Sequence, residues 1–486
     1  MSSTRVTTPT APTRTYPSLR AAAIPLFALC LAFFVEMVDN TLMGVALPTI
    51  GRDLGGGTLS LQWVTSAYAL TFGGLLLTAG SAADRLGRRR VLLVGLAVFG
   101  GVSLGVLAVD STGQLIGLRA TLGVAAAMMA PITNSLVFRL FDDDVLRRKA
   151  FTVMITVGMT GFILGPVLGG SALAHLDWQW LLIANAPIAL IAWVGVRIGV
   201  PADHPEDLTH EKLDLPGALL SIAAIGLGCF TFTSGVLYGW TSWQTLGSAI
   251  GALLALAGFV IHERRTPQPM VDLSLFSRGT IRGASLAQLA TAVAMAAVMF
   301  GLILHFQYAY GWSPMKAGLA NLPLIVTMLV ASPLAENLVT RFGHRVACLI
   351  GSGFLAGSMA GMAWAVGHGY LAIAVFMVTF TIGLRVVMTT CAVALVDAMP
   401  SNRTSLATSL NDTAQEVGTS IGTAFIGTMI AVLVTKVLPD GVWSDDLASS
   451  YFHGEQVAFL ALAVIVGTIA AWGSLTLTDS HATDEH

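Results

Sequence analysis

The chain reads as long apolar stretches broken by short polar turns. A hydropathy window predicts fourteen spans. The first seven are Ile24–Val45, Leu61–Ala82, Val91–Val109, Gln114–Leu136, Ala150–Ala172, Trp180–Val200 and Leu215–Tyr238. The second seven are Leu246–His262, Ala284–Tyr308, Ala317–Ala335, Val346–Val366, Tyr370–Val396, Ser409–Val434 and Gln456–Leu477. At 1.5 Å per residue such runs suit a hydrocarbon core about 30 Å thick. They lack the alternation of apolar and polar residues that barrel strands show, so the prediction is an all-α integral membrane fold of 14 transmembrane helices.

Composition agrees, with 55% hydrophobic residues, 11% charged residues and a mean hydropathy of +0.77. Soluble chains carry about 25% charged residues, so an apolar surface this large needs lipid as its solvent. The even span count puts both termini on one side, and the basic residues predict which. With the termini in the cytoplasm, 20 of the 25 Lys and Arg fall in inner segments, three (Arg52, Lys316 and Lys436) fall outside, and two lie within spans. One miscounted helix would invert every later loop and destroy this asymmetry. The basic start before Ala21 resembles a signal-peptide n-region. However, Glu36, Asp39 and the lack of a small-x-small cleavage site point to a retained first helix.

The charges exclude nucleic acid as a partner, since no basic face is formed. The four cysteines sit inside apolar stretches without CxxC spacing, which excludes a disulfide framework and a thiolate metal site. No metal or other cofactor is expected: the ten histidines show no HExxH spacing, and no phosphate-binding loop occurs.

An internal repeat divides the chain. GSAADRLGRRRVLLVG from Gly80 is echoed by ENLVTRFGHRVACLIG from Glu336, aligning Arg85, Gly87, Arg89 and Gly95 with Arg341, Gly343, Arg345 and Gly351. The shift exceeds six helices by about two, which predicts a six plus two plus six arrangement. The predicted parts are a cytosolic tail (1–20), a six-helix bundle (21–200), two inserted helices with a linker (201–265), a second six-helix bundle (266–478) and a cytosolic tail (479–486). Parallel repeats around a midplane site characterise secondary transporters.

Four motifs then resemble the major facilitator superfamily, and within it the fourteen-helix drug:proton antiporters. GSAADRLGRRR resembles the family's inner-loop signature, VDNTLMGVALP from Val38 its helix-one signature, and Arg119 in LRATLGVAAA its membrane arginine, with Leu122 where glutamine often stands. GFILGPVLGG from Gly161 matches the antiporter signature at every fixed position. The resemblance covers nearly the whole chain and implies export by alternating access across the inner (plasma) membrane, by a monomer.

It also implies roles. In the inner loop Gly80, Asp84, Arg85, Gly87 and Arg88 form a gate. Gly80 would allow close helix approach and Gly87 a tight turn, and Asp84 would meet the positive end of helix thirteen near Ser409 when the inner side closes. The second copy has Thr340 in place of Asp84, so this lock is one-sided. Gly161, Gly165 and Gly169, spaced by four, give a smooth helix face, Pro166 bends it, and Gly170 completes the motif as a hinge or seal between the halves.

Charges inside a membrane are functional candidates by default. Glu36 and Asp39 lie about 17 and 21 Å above Pro25, and Arg119 about 8 Å below the outer rim, so their depths overlap within a turn. Asp39 and Arg119 make a plausible structural pair. That leaves Glu36 as a carboxylate able to exchange a proton or hold a cationic substrate, with Tyr68 a candidate cavity residue. Arg385 and Glu416, both about 9 Å from the inner face, form a second possible pair. His305, Gln307, Tyr308 and Tyr310 read as headgroup-level residues at an outer helix end. The expected activity is exchange of protons for lipophilic, cationic or amphipathic drugs. The alternative is dedicated export of one natural product, lipid or organic anion. No catalytic constellation points to an enzyme.

Overall fold

The computed structural model describes residues 15–203, 208, 214–267, 269, 273–398, 404–434, 443 and 445–477. Arg5, Arg14, Lys212, Arg403 and Lys436, used in the charge count, lie outside them. Among the described residues every regular element is helical. The N-terminal group holds α1 (Ala23–Leu54), α2 (Thr58–Leu86), α3 (Arg88–Leu104), α4 (Thr112–Ala127), α5 (Ala130–Arg139), α6 (Asp144–Leu173), α7 (Gln179–Ile183) and α8 (Asn185–Gly199). Two middle helices follow, α9 (Leu215–Tyr238) and α10 (Trp243–Arg265). The C-terminal group holds α11 (Gly279–Leu304), α12 (Pro314–Leu319), α13 (Leu322–Val330), α14 (Ser332–Ala365), α15 (Tyr370–Asp397), α16 (Thr404–Leu433) and α17 (Asp445–Leu475).

Eleven of these helices, counting joined segments once, are long and apolar enough to cross a membrane. Proline explains most of the interruptions. Pro131, Pro323 and Pro333 stand at the first turns of α5, α13 and α14, where a missing amide proton is tolerated. The predicted span Ala317–Ala335 is therefore three pieces. The predicted span Ala284–Tyr308 ends in a π turn, His305–Ala309.

The repeat is visible in the backbone. Gly87 ends α2 with φ 100°, and Gly343, its aligned partner, breaks α14 with φ 76°. Both copies need a backbone conformation that side chains oppose.

In the N-terminal group α1 lies along α6 and α8, and α2 along α4. In the C-terminal group α11 lies along α16 and α17, and α14 along α15 and α17. The middle helices pair with each other, and α9 rests on α2 and α16. Thr233 of α9 accepts hydrogen bonds from Gln62 (2.9 Å) and Trp63 (3.0 Å) of α2.

The two groups meet at the end of the bundle where α1 finishes, the end that the charges predict to be outer. Gln307 Nε2 donates to the Val45 carbonyl (2.8 Å) and the Tyr308 hydroxyl to the Pro48 carbonyl (3.4 Å). A Cβ added at Gly170 would stand 2.5 Å from the Met315 Cα, and one at Gly318 would strike the Pro166 carbonyl. Nearer mid-bundle, Ser66 donates to the Ser420 carbonyl (3.3 Å), and a Cβ on Gly73 would lie 2.5 Å from that of Glu416. Toward the opposite end the groups diverge. A cleft of about 350 Å³ opens between α6 and α13–α15, lined by Thr156, Thr160, Met328, Ser332 and Arg385 among others.

Candidate functional site

The site begins with two carboxylates on one face of α1. Glu36 and Asp39 are three residues apart and so project together, and both are buried. Arg119 reaches Asp39 from α4, which Ser111 starts by capping the Gln114 amide. Its Nη1 lies 2.6 Å from Asp39 Oδ2, and both residues are at most 2% exposed. The other Asp39 oxygen accepts a hydrogen bond from Asn185 Nδ2 (2.7 Å), at the start of α8. The Tyr68 ring lies beneath the guanidinium, 4.3 Å from centroid to Cζ. Asp39 thus has both oxygens engaged and Arg119 has an anion and a ring. Removing one member of such a buried pair leaves an uncompensated charge, at a cost of about 3 to 5 kcal/mol.

Glu36 is different. It is 1% exposed, and neither carboxyl oxygen has a hydrogen-bond partner among the described residues. An ionised carboxylate in that position is very costly, so the group is stable there as a neutral acid or beside a bound cation. Asp39, Glu416 and Asp412 lie within electrostatic range of it. Glu416, on α16, stands half-buried against Gly73 of α2. The structure therefore leaves the α16 carboxylates within electrostatic range of Glu36, across the two groups.

This corrects the predicted Arg385–Glu416 pair. Arg385 instead donates from Nε (3.1 Å) and Nη2 (2.9 Å) to Ser332 Oγ, with Glu336 as the nearby acid. The two residues lie at similar depths, but rotation about each helix axis turns Arg385 to the cleft and α14, and Glu416 to Gly73 and α1. Tyr68 is also placed differently from the expectation. It is 1% exposed, packed on Phe72 with its hydroxyl unpartnered among the described residues, and supports Arg119 from below without lining the open cleft.

In the α2–α3 turn Asp84 Oδ1 accepts from Arg88 Nη2 (2.7 Å) and Nε (2.9 Å), while Arg85 is exposed. The side chain of Ser409, the predicted receiver of Asp84, lies outside the described residues. A Cβ added at Gly80 would meet nothing within 4 Å, so no close helix approach occurs at this position in the present arrangement. Asp203, absent from the sequence prediction, clamps the turn. It accepts from the Arg89 amide (3.0 Å), lies 4.0 Å from Arg139, and fills the space where a Gly87 Cβ would stand.

The α6 motif divides its contacts. Gly161, Gly165 and Gly169 seat Phe34, Thr41 and Leu42 of α1, within the same group, whereas Pro166 and Gly170 touch α12 across the interface. On α16, Gly418 and Gly422 seat α11 and Gly427 seats Gln62 of α2, the same division in the second repeat.

Sequence reasoning missed Asn185 and the pair formed by His305 and Glu455. The asparagine breaks an apolar run, LLIANAPIAL, and could have been flagged on that ground. Glu455 lies one residue outside the predicted last span, and α17 begins ten residues before it.

Comparison with known proteins agrees with this architecture. A family model described as Major Facilitator Superfamily matches residues 29–423. The chain is similar to the puromycin resistance protein of Streptomyces alboniger, with 32% identity over 95% of this chain and 92% of that one. It is also similar to the multidrug efflux pump LfrA of Mycolicibacterium smegmatis, with 30% identity over 86% and 81%. Among solved structures, an inward-facing bacterial homolog of the lysosomal transporter Spinster superposes with a TM-score of 0.64 at 15% identity, covering 94% of this chain and 97% of that one, a likeness of fold. The helices, their repeat and these matches place the chain in the Major Facilitator Superfamily.

Proposed function

We propose that this multi-pass membrane transporter exports lipophilic, cationic or amphipathic compounds in exchange for protons. It works as a monomer in the inner (plasma) membrane, with fourteen crossings, two six-helix bundles around two inserted helices, and both termini cytoplasmic. The observation that carries this reading is Glu36, buried without a hydrogen-bond partner among the described residues and within electrostatic range of the α16 carboxylates. Such a carboxylate holds a proton or a cation but holds both poorly, and that competition is antiport. Resistance and efflux in the names of the relatives support the substrate class.

Contact at the predicted outer end with a cleft toward the other end supports an inward-open resting arrangement. Asp39, Arg119 and Tyr68 then keep the α1–α4 side rigid while Glu36 exchanges its ligand. Asp84 is held by Arg88 until the inner side closes. A second reading, export of an anionic amphiphile, is favoured by one feature: Arg385 faces the cleft with only a serine as its hydrogen-bond partner among the described contacts.

The test is efflux of ethidium, a lipophilic cation, from proteoliposomes under an imposed proton gradient. Efflux that collapses when the gradient is dissipated supports antiport. Efflux indifferent to the gradient refutes it.

A further inference from the structure

A second titratable cluster lies at the predicted outer end of the C-terminal group, on α17 and the π turn that follows α11. His305 Nδ1 and Glu455 Oε2 are 2.6 Å apart, and both side chains are fully buried. His305 Nε2, Glu455 Oε1 and the hydroxyls of Tyr310 and Tyr451 have no hydrogen-bond partner among the described residues. The imidazole is boxed by the rings of Phe306, Tyr310, Tyr451 and Phe452, at 4.5 to 6.2 Å. A structural ion pair alone would be expected to have its remaining polar atoms satisfied, because each orphan costs about 1 to 3 kcal/mol.

The backbone at this point is also unusual. His305 opens the π turn His305–Ala309, and such turns mark functional sites more often than ordinary helix does. Gln307 and Tyr308 of the same turn make the cross-group hydrogen bonds to the Val45 and Pro48 carbonyls of α1. The acid–base pair and the outer contact therefore share five residues of backbone.

We infer that His305 and Glu455 form a second proton-binding site, loaded from the predicted outer side, whose occupancy closes the outer contact between α11 and α1. Its direction follows from proton counting. In the closed arrangement the pair shares one proton between Nδ1 and Oε2. When the turn leaves α1 and water enters, the two groups separate and are solvated individually, and the shared proton is no longer held between them. The closed arrangement then binds more protons than the open one, so external acid favours closure. The titratable groups facing the pair are Tyr310, beside it on the same segment, and Tyr451 on α17. Tyr308 lies within electrostatic range of Tyr451 and carries Arg52 over its ring at 5.1 Å.

The proposal takes its orientation from the antiport reading, but its test needs no transported compound, so the two can fail separately. Nitroxide labels are placed at Asp110 and His368, exposed residues in predicted outer loops of the two groups, with the four buried cysteines left in place. Label separation is measured on the full chain in lipid nanodiscs. In the parent chain the short-distance population should rise at least about threefold between roughly pH 8 and pH 5.5, the range across which an exposed imidazole titrates. In Glu455→Gln, which retains shape and hydrogen-bonding capacity, that rise should shrink at least twofold, and His305→Gln supplies an independent second variant. A parent chain indifferent to pH, or variants that keep the parental rise or lose less than half of it, would overturn the proposal.

Discussion

The N-terminal and C-terminal groups each hold one arginine in mid-helix, Arg119 and Arg385, and treat it differently. Arg119 is 1% exposed and is enclosed by Asp39, Asn185 and the Tyr68 ring, a self-neutral assembly inside one group. Arg385 is half-buried, holds Ser332, and faces the cleft. The turns differ likewise. The α2–α3 turn carries Asp84 paired with Arg88, whereas its repeat in α14 carries Thr340, which donates within its own helix to the Asn337 carbonyl (3.2 Å). A duplicated scaffold has kept its backbone breaks, at Gly87 and Gly343, and separated its chemistry. One group supplies a rigid charge framework and the other lends carboxylates and a cleft-facing cation to the interface.

The most severe way to break the comparison is Asp39→Asn. It leaves Arg119 buried without its anion, which costs about 3 to 5 kcal/mol. The yield of monodisperse protein in detergent should fall sharply along with efflux, while Arg385→Ala should leave yield nearly unchanged. Equal losses in the two variants would erase the distinction.

Asp84→Asn sharpens the contrast between the turns. The pair with Arg88 is part-exposed and worth at most about 1 kcal/mol, so folding should survive. Efflux should fall about tenfold, equivalent to about 1.4 kcal/mol of altered state balance, if Asp84 locks the inner side when it closes. Thr340→Ala, the equivalent change in the repeat, should leave efflux within about twofold, and proteoliposome rates check both.

Arg385→Ala should cost about 1 kcal/mol of stability or less, since it removes hydrogen bonds to one serine. Its informative effect is on selectivity. Affinity for anionic amphiphiles should drop while that for ethidium holds or rises, as measured by competition binding.

The smallest effect concerns Asp143, which lies outside the membrane and caps α6. Hydrogen bonds from the Leu146 and Val145 amides hold its carboxyl below the usual carboxylate range. A depressed acid stabilises the fold above its ordinary pKa and loses that contribution as pH falls through the lowered value. Asp143→Ala should therefore lower the thermal midpoint by about 1 °C at pH 7 and converge with the parent chain near pH 3.

Much of the frame was legible in the sequence because it depends on one-dimensional patterns. Apolar run length placed the helices, and the spacing of glycines and arginines exposed a repeat that the backbone reproduces at Gly87 and Gly343. Axial depth sufficed to pair Asp39 with Arg119, since both sit in the same group and their depths overlap. Depth failed for Arg385 and Glu416, because rotation about a helix axis is decided by packing on α14 and α2, which no count of residues reports. Glu455 was lost for a similar reason. A charge at the edge of an apolar window looks interfacial until the helix is seen to continue well past it.

The central claim is that Glu36, alone among the α1 charges in lacking a partner among the described residues, carries the exchanged proton. Its most direct test is proton release when ethidium is added to detergent-solubilised protein in weakly buffered solution near neutral pH. The account predicts release from the parent chain and none from Glu36→Gln, with that variant still folded and still binding neutral compounds. Release from Glu36→Gln equal to that of the parent would contradict it and transfer the proton to another carboxylate, Glu416 first.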